Sequence, residues 1–167
     1  MRHFAFALIA CLCLPSCQQV GTLFQNDKPL TATAQDPGKK LVVLPAEIWA
    51  NEKCESRSLP YLRLDDSKIT PKTIKAGSSI HYRFSYTACV PLQPGYMLGR
   101  FQTTIYFQGT KKSTRYDDGY PVETGKLIVD TDIAVPIDAE PGTYILNASL
   151  SAHDVTIEDR VSFNVEP

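Results

Sequence analysis

The chain has 167 residues, of which 43% are hydrophobic and 21% charged, and its formal net charge at pH 7 is −1. This length fits one domain, and this hydrophobic content argues against wholesale disorder. The near-zero charge argues against a nucleic-acid-binding protein, which normally carries a basic excess. Twelve prolines and nine glycines indicate many turns and favour β structure. The five cysteines cannot all pair with one another, because their number is odd.

The N-terminus has the organisation of an export signal. Met1 to His3 forms a short basic start, and residues 4–14 form an uncharged apolar run of eleven residues. Such a run is too short to cross a hydrocarbon core of about 30 Å as a helix, but it fits the hydrophobic region of a secretory signal. It ends in Leu14-Pro15-Ser16-Cys17, which resembles the lipobox of bacterial lipoproteins.

The resemblance implies a signal peptide over residues 1–16, cleaved directly before Cys17, whose thiol is then acylated with chains such as palmitate. It places the protein in the cell envelope, attached to the lipid bilayer, and Gln18 after the cysteine implies the outer membrane in a Gram-negative cell. Pro15 departs from the small or β-branched residue usual at its position. A second match ends at Cys11 and would leave a signal of only ten residues, so Cys17 is the preferred acylation site.

Residues 17–40 are predicted to be the lipidated cysteine and a flexible tether. This segment is rich in polar residues, Pro and Gly, and it shows no sustained period of 2 or 3.6. A coil of this length would hold a domain about 25 Å from the bilayer. Two or three acyl chains anchor a protein stably, whereas one binds only marginally. Removal of Arg2 with the signal leaves 16 basic and 18 acidic side chains, a net charge of −2.

From Leu41 onward, apolar and polar residues alternate with the period of two that is typical of half-buried strands. The clearest case is the segment 80–86, which places Ile80, Tyr82, Phe84 and Tyr86 on one face. The pattern recurs in further segments, and more weakly in the last two of them: 100–108, 126–135, 144–150, 161–165, 41–44 and 61–64. Residues 46–53 predict a short helical turn.

This spacing of strands predicts an all-β fold: one immunoglobulin-like antiparallel β-sandwich of about seven to nine strands over residues 41–167, with an N-terminal extension at 41–58. The sequence has no ten-residue helical period between strands, so a parallel βαβ sheet is not expected. An open β-barrel is the alternative architecture.

The segment Asp138-Ala139-Glu140-Pro141-Gly142-Thr143-Tyr144 resembles the approach to strand F in immunoglobulin-like domains. The resemblance covers roughly residues 59–167, and it implies that the Tyr144 hydroxyl caps the corner that leads into this strand. Residues 133–136 then correspond to strand E and residues 161–165 to strand G. Leu146 stands where antibody domains carry their second cysteine, so the inter-sheet disulfide of that class is absent.

Processing at Cys17 would remove Cys11 and Cys13 and leave an even pair, Cys54 and Cys89. In an exported protein such a pair is expected to form a disulfide, although two free thiols are the alternative. The bond would close a span of 35 residues, and loop-closure entropy gives it a stabilising effect of roughly 4 kcal/mol at most. Its expected role is to clip the N-terminal extension onto one end of the sandwich.

The sequence predicts no metal, no cofactor and no enzymatic activity. His81 and His153 lack partners at metal-ligand spacing, and the acidic stretches 117–118 and 130–132 lack the ordered spacing of a calcium loop. The same carboxylates could serve a sugar-cleaving enzyme only if two were paired in space, which the sequence does not determine. No nucleophile elbow, zinc-binding helix motif or phosphate-binding glycine loop occurs in the sequence.

Two connections are predicted to be binding surfaces, because the loops of β-sandwiches commonly bind partners. Residues 90–98 are unusually apolar for a loop, and residues 109–121 interleave basic residues with tyrosines, which can contact glycans or anionic polymers. The candidate contact residues are Val90, Leu92, Tyr96, Met97, Lys111, Lys112, Arg115, Tyr116 and Tyr120. The alternative is that neither segment binds a partner: the first would pack on the N-terminal extension, and the second would be a hairpin exposed to solvent.

The sequence therefore predicts a membrane-anchored envelope lipoprotein that acts as a non-enzymatic binding or assembly module. Its expected partner is an envelope protein or a glycan, and nucleic acid is not expected. Two alternatives remain open at this point: an anchored inhibitor of a hydrolase, and an accessory lipoprotein of a secretion apparatus.

Overall fold

The computed structural model describes residues 38–167. This part of the chain forms nine strands, one α-helix and one 3₁₀ turn. In chain order, the elements are β1 (Gly38–Val43), α1 (Pro45–Asn51), the 3₁₀ turn (Cys54–Ser56), β2 (Tyr61–Thr70), β3 (Thr73–Lys75), β4 (Ser79–Cys89), β5 (Tyr96–Phe107), β6 (Thr110–Glu123), β7 (Gly125–Ala134), β8 (Gly142–Ala152) and β9 (Val155–Glu166).

The strands form two sheets that pack as a sandwich. The four-stranded sheet has the order β1-β7-β4-β2, and the five-stranded sheet has the order β3-β9-β8-β5-β6. Neighbouring strands are antiparallel except β3 and β9, which pair in parallel. The predicted all-β sandwich is confirmed, and the two separate sheets rule out the barrel alternative. The short strand β3 has no counterpart in the sequence prediction.

The core lies between the sheets and is built from the alternating residues of the strands. Tyr82, Phe84 and Tyr86 of β4 are fully buried, as the period of two predicts. Phe84 meets Phe101 of the opposite sheet edge to face, with ring centroids 5.5 Å apart. Aromatic pairs in this geometry stabilise a core beyond the area they bury. The inward residues of β7 and β8 complete the core.

The corner before β8 has the geometry that the immunoglobulin-like pattern implies. The Tyr144 hydroxyl donates a hydrogen bond to the main-chain oxygen of Glu140 at 2.9 Å. The Tyr144 ring stacks between Phe107 and Phe163, with centroid distances of 4.5 and 5.4 Å. Strands β7, β8 and β9 thus occupy the places of strands E, F and G, and Leu146 is buried in the core at the position where a cysteine would stand.

The N-terminal extension adds β1 to the edge of β7 and then forms α1. Pro45 suits the first turn of a helix, because its missing N–H would be unsatisfied there in any case. Ile48 of α1 is buried against a disulfide that joins Cys54 to Cys89, the pair expected from the sequence. The Cα atoms of the two cysteines are 5.7 Å apart, and the bond ties the extension to the last residue of β4.

One boundary differs from the sequence prediction. Gly38, Lys39 and Lys40, which the sequence assigns to the tether, form the start of β1, because β7 offers them a strand to pair with. The predicted signal peptide, the acylation site Cys17 and the rest of the tether lie outside the described residues. Within residues 38–167, no helix has the length and apolar character needed to cross a bilayer.

Candidate functional site

Exposed apolar side chains gather around one end of the sandwich, which we call the apolar end. The exposed fraction is 65% for Leu44, 70% for Leu92, 46% for Tyr96 and 66% for Leu98. These residues come from three places in the sequence: the end of the N-terminal extension, the β4–β5 connection and the start of β5. The apolar end is therefore a feature of the tertiary structure.

Contacts among the connections hold the apolar end together. The main-chain N–H of Val90 donates to the Thr124 hydroxyl at 3.0 Å, which joins the β4–β5 connection to the turn between β6 and β7. Tyr96 pairs with Glu123 at the start of β5. On the same side of the sandwich, Lys39 of β1 donates to the main-chain oxygen of Pro121 at 3.0 Å and forms an ion pair with Glu123 at 2.9 Å.

The predicted binding loop at 90–98 is shorter in the structure and differs in its contact residues. Val90 is fully buried and Met97 packs partly buried against the core, so neither residue forms an exposed contact surface. Tyr96 to Leu98 belongs to β5, which leaves residues 90–95 as the connection. The prediction was wrong for Val90 because an apolar residue directly after a strand can still lie under the turn of a neighbouring connection. Leu92 and Tyr96 remain exposed candidates.

The second predicted loop, residues 109–121, is mainly a strand. Residues 110–123 form β6, which pairs with β5 at the edge of the five-stranded sheet. Its polar composition concealed it, since an edge strand whose side chains mostly face solvent lacks a clear apolar alternation. Irregular pairing at two points of β5 and β6 further disrupts the pattern.

Alternation along β6 separates its candidate residues. Lys111 and Tyr116 are exposed, and the Arg100 guanidinium lies 5.3 Å from the centre of the Tyr116 ring. Lys112 and Arg115 are half-buried. Tyr120 is buried, its ring 5.9 Å from that of Phe101, and burial raises the pKa of its hydroxyl to about 12. Tyr120 is therefore a core residue and not the contact residue that the sequence predicted.

A shallow cleft of about 200 Å³ opens between β6 and the β7–β8 corner. Its walls are mostly apolar, and its lining residues include Ile105, Val135, Tyr144 and Phe163. Lys112 lies at its rim, where its Nζ is 3.3 Å from Glu140 Oε1 and 5.4 Å from the centre of the Phe107 ring. The sequence did not indicate this cleft, because its walls come from both sheets and from the corner.

The outer face of the four-stranded sheet carries paired charges. His81 Nδ1 lies 2.9 Å from Asp132 and His81 Nε2 lies 3.1 Å from Asp130, which also pairs with Arg83 at 2.8 Å. The hydrogen bond to Asp132, opposed by partial burial and supported by Asp130, raises the pKa of His81. The hydrogen bond from Arg83 is the largest cause of a lowered Asp130 pKa. These charges satisfy one another across two neighbouring strands, β4 and β7.

The described residues contain no group of three His, Cys, Asp or Glu side chains that could hold a metal ion. The two aspartates beside His81 approach opposite nitrogens of its ring, so no single point faces all three side chains. Asp118 is an ion-pair partner of Arg100. His153 lies exposed in the turn between β8 and β9.

Comparisons with known proteins find no matching family model and no matching curated protein. The chain has a distant likeness to solved structures. A Pseudomonas fluorescens alkylpurine DNA glycosylase, AlkC, gives a TM-score of 0.47 at 10% identity over 64% of this chain and 30% of the other. A DUF4466 family protein from Parabacteroides merdae gives a TM-score of 0.47 at 13% identity, over 65% of this chain and 46% of the other. The CARDB domain of a Pyrococcus furiosus protein gives a TM-score of 0.41 at 16% identity, over 66% of this chain and 94% of the other.

The chain spans less than half the length of the first solved structures that it resembles. Likeness at this level of identity and of TM-score does not indicate a shared activity, ligand or partner.

Proposed function

We propose that this chain is a membrane-anchored envelope lipoprotein that binds a protein partner through the apolar end of its sandwich and catalyses no reaction. The observation that carries the proposal is the exposure of Leu44, Leu92, Tyr96 and Leu98 around one end. Exposed apolar residues scattered singly need no explanation, but apolar groups collected in one place are typical of interaction sites. Six of the eight large hydrophobic residues that are exposed in the described chain lie in β1, in the residue directly after it or in residues 92–98.

A protein partner fits this surface better than a charged ligand does. Leucine and tyrosine side chains gain free energy when a partner removes them from water, by roughly 25 cal/mol per Å² of buried apolar area. The nearby ion pair between Lys39 and Glu123 would form part of a polar rim. An apolar centre with a polar rim is the usual anatomy of a protein–protein interface.

Anchoring and binding are separate parts of the proposal. Acylation of Cys17 would confine the domain to a layer beside the bilayer, and this raises its effective concentration toward partners in the same envelope. The disulfide between Cys54 and Cys89 is compatible with an oxidising compartment outside the cytosol.

The binding part is tested by replacing apolar-end residues in the full chain. Cells are cross-linked, the protein is affinity-purified, and the stoichiometry of co-purified envelope proteins is compared between variants. We expect the double substitution Leu92→Ser and Leu98→Ser to remove a stoichiometric partner. Ile137→Ser is the matched control, because Ile137 is 87% exposed but lies in the β7–β8 corner. Co-purification that survives the double substitution would exclude the apolar end.

The identity of the captured protein separates this proposal from its alternatives. A soluble hydrolase that is lost from the double variant would support the inhibitor function. A component of a secretion apparatus would support the accessory-lipoprotein function. An integral or anchored envelope protein of another kind supports the assembly function proposed here.

The anchoring part is tested by Cys17→Ala, with Cys11→Ala as the matched control. We expect Cys17→Ala to move the protein from the membrane fraction to the soluble fraction and Cys11→Ala to leave it in membranes. The opposite result would identify Cys11 as the acylated residue. Membrane association of both variants would contradict lipid anchoring.

A further inference from the structure

The outer face of the five-stranded sheet has a polar, uncharged centre. We call this centre, which outward side chains of β5, β6 and β8 form, the neutral face. Strand pairing places Gln102 between Tyr116 and Ser149, and Thr104 between Thr114 and Asn147. None of these six side chains carries a charge at neutral pH.

Two tyrosines stand at opposite ends of the neutral face. Tyr116 of β6 has an exposed fraction of 59%, and Tyr106 of β5 is half-buried. Tyr116 pairs with Gln102, four residues before Tyr106 on the same strand, so the two tyrosines are about 13 Å apart along the strand direction. They lie on adjacent strands, which are about 4.8 Å apart. Their rings bound an elongated strip.

Amide and hydroxyl groups fill the strip between the rings. The Gln102 amide donates to the Thr104 hydroxyl at 3.3 Å, and the hydroxyls of Thr104 and Thr114 are 3.2 Å apart. Thr104 is only 3% exposed, so its hydroxyl fixes its neighbours. The more exposed amide and hydroxyl groups of Gln102, Thr114 and Asn147 can exchange hydrogen bonds with a ligand. Ile145, which is half-buried and pairs with Tyr106, adds one aliphatic side chain at that end, but the polar groups between the two tyrosines do not form the apolar core that a protein interface requires.

Charges occur only around the neutral face, and opposite charges lie near one another there. Arg100 forms an ion pair with Asp118, and its guanidinium also lies beside the Tyr116 ring. On β9 the outward residues Glu158 and Arg160 carry opposite charges. Lys111 of β6 pairs with Tyr106 at the end of the strip nearest the β5–β6 turn, where its side chain is exposed to water. These five side chains carry three positive and two negative charges, and an anionic polymer would require a larger basic excess than this.

We propose that the neutral face binds a neutral polysaccharide chain laid along the strip from Tyr106 to Tyr116. Sugar rings present apolar C–H faces, which pack on aromatic rings, and hydroxyl groups, which exchange hydrogen bonds with amides and hydroxyls. The polar centre of the neutral face supplies both kinds of contact, and the charges at its margins can stay in water when a sugar chain binds. This site is distinct from the apolar end, and a protein partner and a glycan would occupy different surfaces.

The proposal is tested with the full chain in non-ionic detergent, by native electrophoresis in gels that contain a soluble polysaccharide. The neutral probes are hydroxyethyl cellulose, glucomannan and laminarin, and alginate is the anionic probe. We expect at least one neutral polysaccharide to slow migration and alginate to have no effect. Tyrosines are enriched among the few residues whose truncation weakens binding strongly, so Tyr116→Ala should weaken binding by about tenfold.

Tyr96→Ala is the matched control, because Tyr96 is an exposed tyrosine of the same sheet at the apolar end. It should bind as the unmodified chain does, and so should the double variant Leu92→Ser and Leu98→Ser. A second substitution on the strip, Gln102→Ala, should weaken binding without loss of the fold. The proposal is overturned if no neutral polysaccharide slows the chain, if only alginate does, or if Tyr96→Ala and Tyr116→Ala lose binding equally.

Discussion

The two ends of the sandwich are closed by different interactions. At the apolar end, the extension is tied to β4 by the disulfide between Cys54 and Cys89, and large apolar side chains face solvent. At the other end, which we call the corner end, the β7–β8 connection is fixed by hydrogen bonds: Tyr144 to Glu140, and the main-chain N–H of Gly77 to the oxygen of Pro136. Here the aromatic ring of Tyr144 is buried, and its hydroxyl donates to the main-chain oxygen of Glu140.

The difference follows from how far the core extends. The aromatic stack of Phe107, Tyr144 and Phe163 reaches the corner end, so a few hydrogen bonds suffice to fix the connection over it. At the apolar end the extension has only a small buried cluster of its own, formed by Ile48, Cys54 and Cys89. Burial of one isoleucine contributes only about 1.5–3 kcal/mol, and the disulfide adds a covalent link to the pairing of β1 with β7.

Removal of the disulfide should have the largest effect on stability. The double substitution Cys54→Ser and Cys89→Ser frees a span of 35 residues in the unfolded chain, and we expect the free energy of unfolding to fall by up to about 4 kcal/mol. Urea titration followed by circular dichroism measures the change. Reduction of the unmodified chain should reproduce it. Equal stability of the oxidised and reduced chains would contradict a structural role of the bond.

Loss of the corner hydrogen bond should have a smaller effect. Tyr144→Phe keeps the ring stacked on Phe107 but leaves the carbonyl of Glu140 without its hydroxyl partner, so we expect a loss of about 1 kcal/mol. Tyr106→Phe is the matched control on the outer face of the same sheet and should change the stability by less. If both variants unfold at the same urea concentration as the unmodified chain, the corner bond does not stabilise the fold.

The charged residues near the corner end should make stability depend on pH. Because folding raises the pKa of His81, its contribution is fully present below the ordinary value of about 6.5 and is lost as pH rises through the folded pKa. The His81 side chain is 44% exposed and solvent screens its ion pairs, so we expect the free energy of unfolding to fall by at most about 1 kcal/mol over this range. His81→Gln should abolish this slope, and His153→Gln should retain it.

Asp130 acts in a separate pH range with the opposite sign. Its pKa is lowered in the folded state, so its contribution is present above the ordinary value of 3.8 and is lost as pH falls through the lower folded value. The free energy of unfolding measured from neutral to alkaline pH therefore responds to the titration of His81 and not to that of Asp130. A slope of the same size in His81→Gln would assign the pH dependence to another group.

The exposed residues of the two ends should affect stability least. Leu98→Ser at the apolar end and Ile137→Ser at the corner end remove side chains that are 66% and 87% exposed. Both substitutions should change the free energy of unfolding by no more than about 0.5 kcal/mol. A larger loss in Leu98→Ser, measured by thermal or urea unfolding, would mean that the apolar end stabilises the fold instead of serving a partner.

Local patterns were sufficient to predict much of the fold. Alternation with a period of two located the buried face of β4, because side chains on one face of a strand must share one environment. The approach to Tyr144 identified the corner, since its hydrogen bond spans only four residues of sequence. The pairing of Cys54 with Cys89 followed from parity and compartment.

The edges of the sheets were predicted poorly. Strand β6 lies at a sheet edge and most of its side chains contact water, so its sequence lacks the alternation of apolar and polar residues that marks a half-buried strand. Val90 and Tyr120 were predicted to be contact residues, but packing from the opposite sheet and from neighbouring turns buries them. Tyr106 and Gln102 were not singled out, because no local motif marks an outward residue as part of a neutral strip.

The sequence by itself thus determined the fold class, the corner and the disulfide pair, which depend on alternation, on a short motif and on the count of cysteines. Only the tertiary structure defines the two surfaces that we propose as binding sites. The apolar end joins residues from the extension, the β4–β5 connection and β5, and the neutral face joins three strands. Surfaces of this kind arise from contacts between residues far apart in the chain, so only the packed strands bring their side chains together.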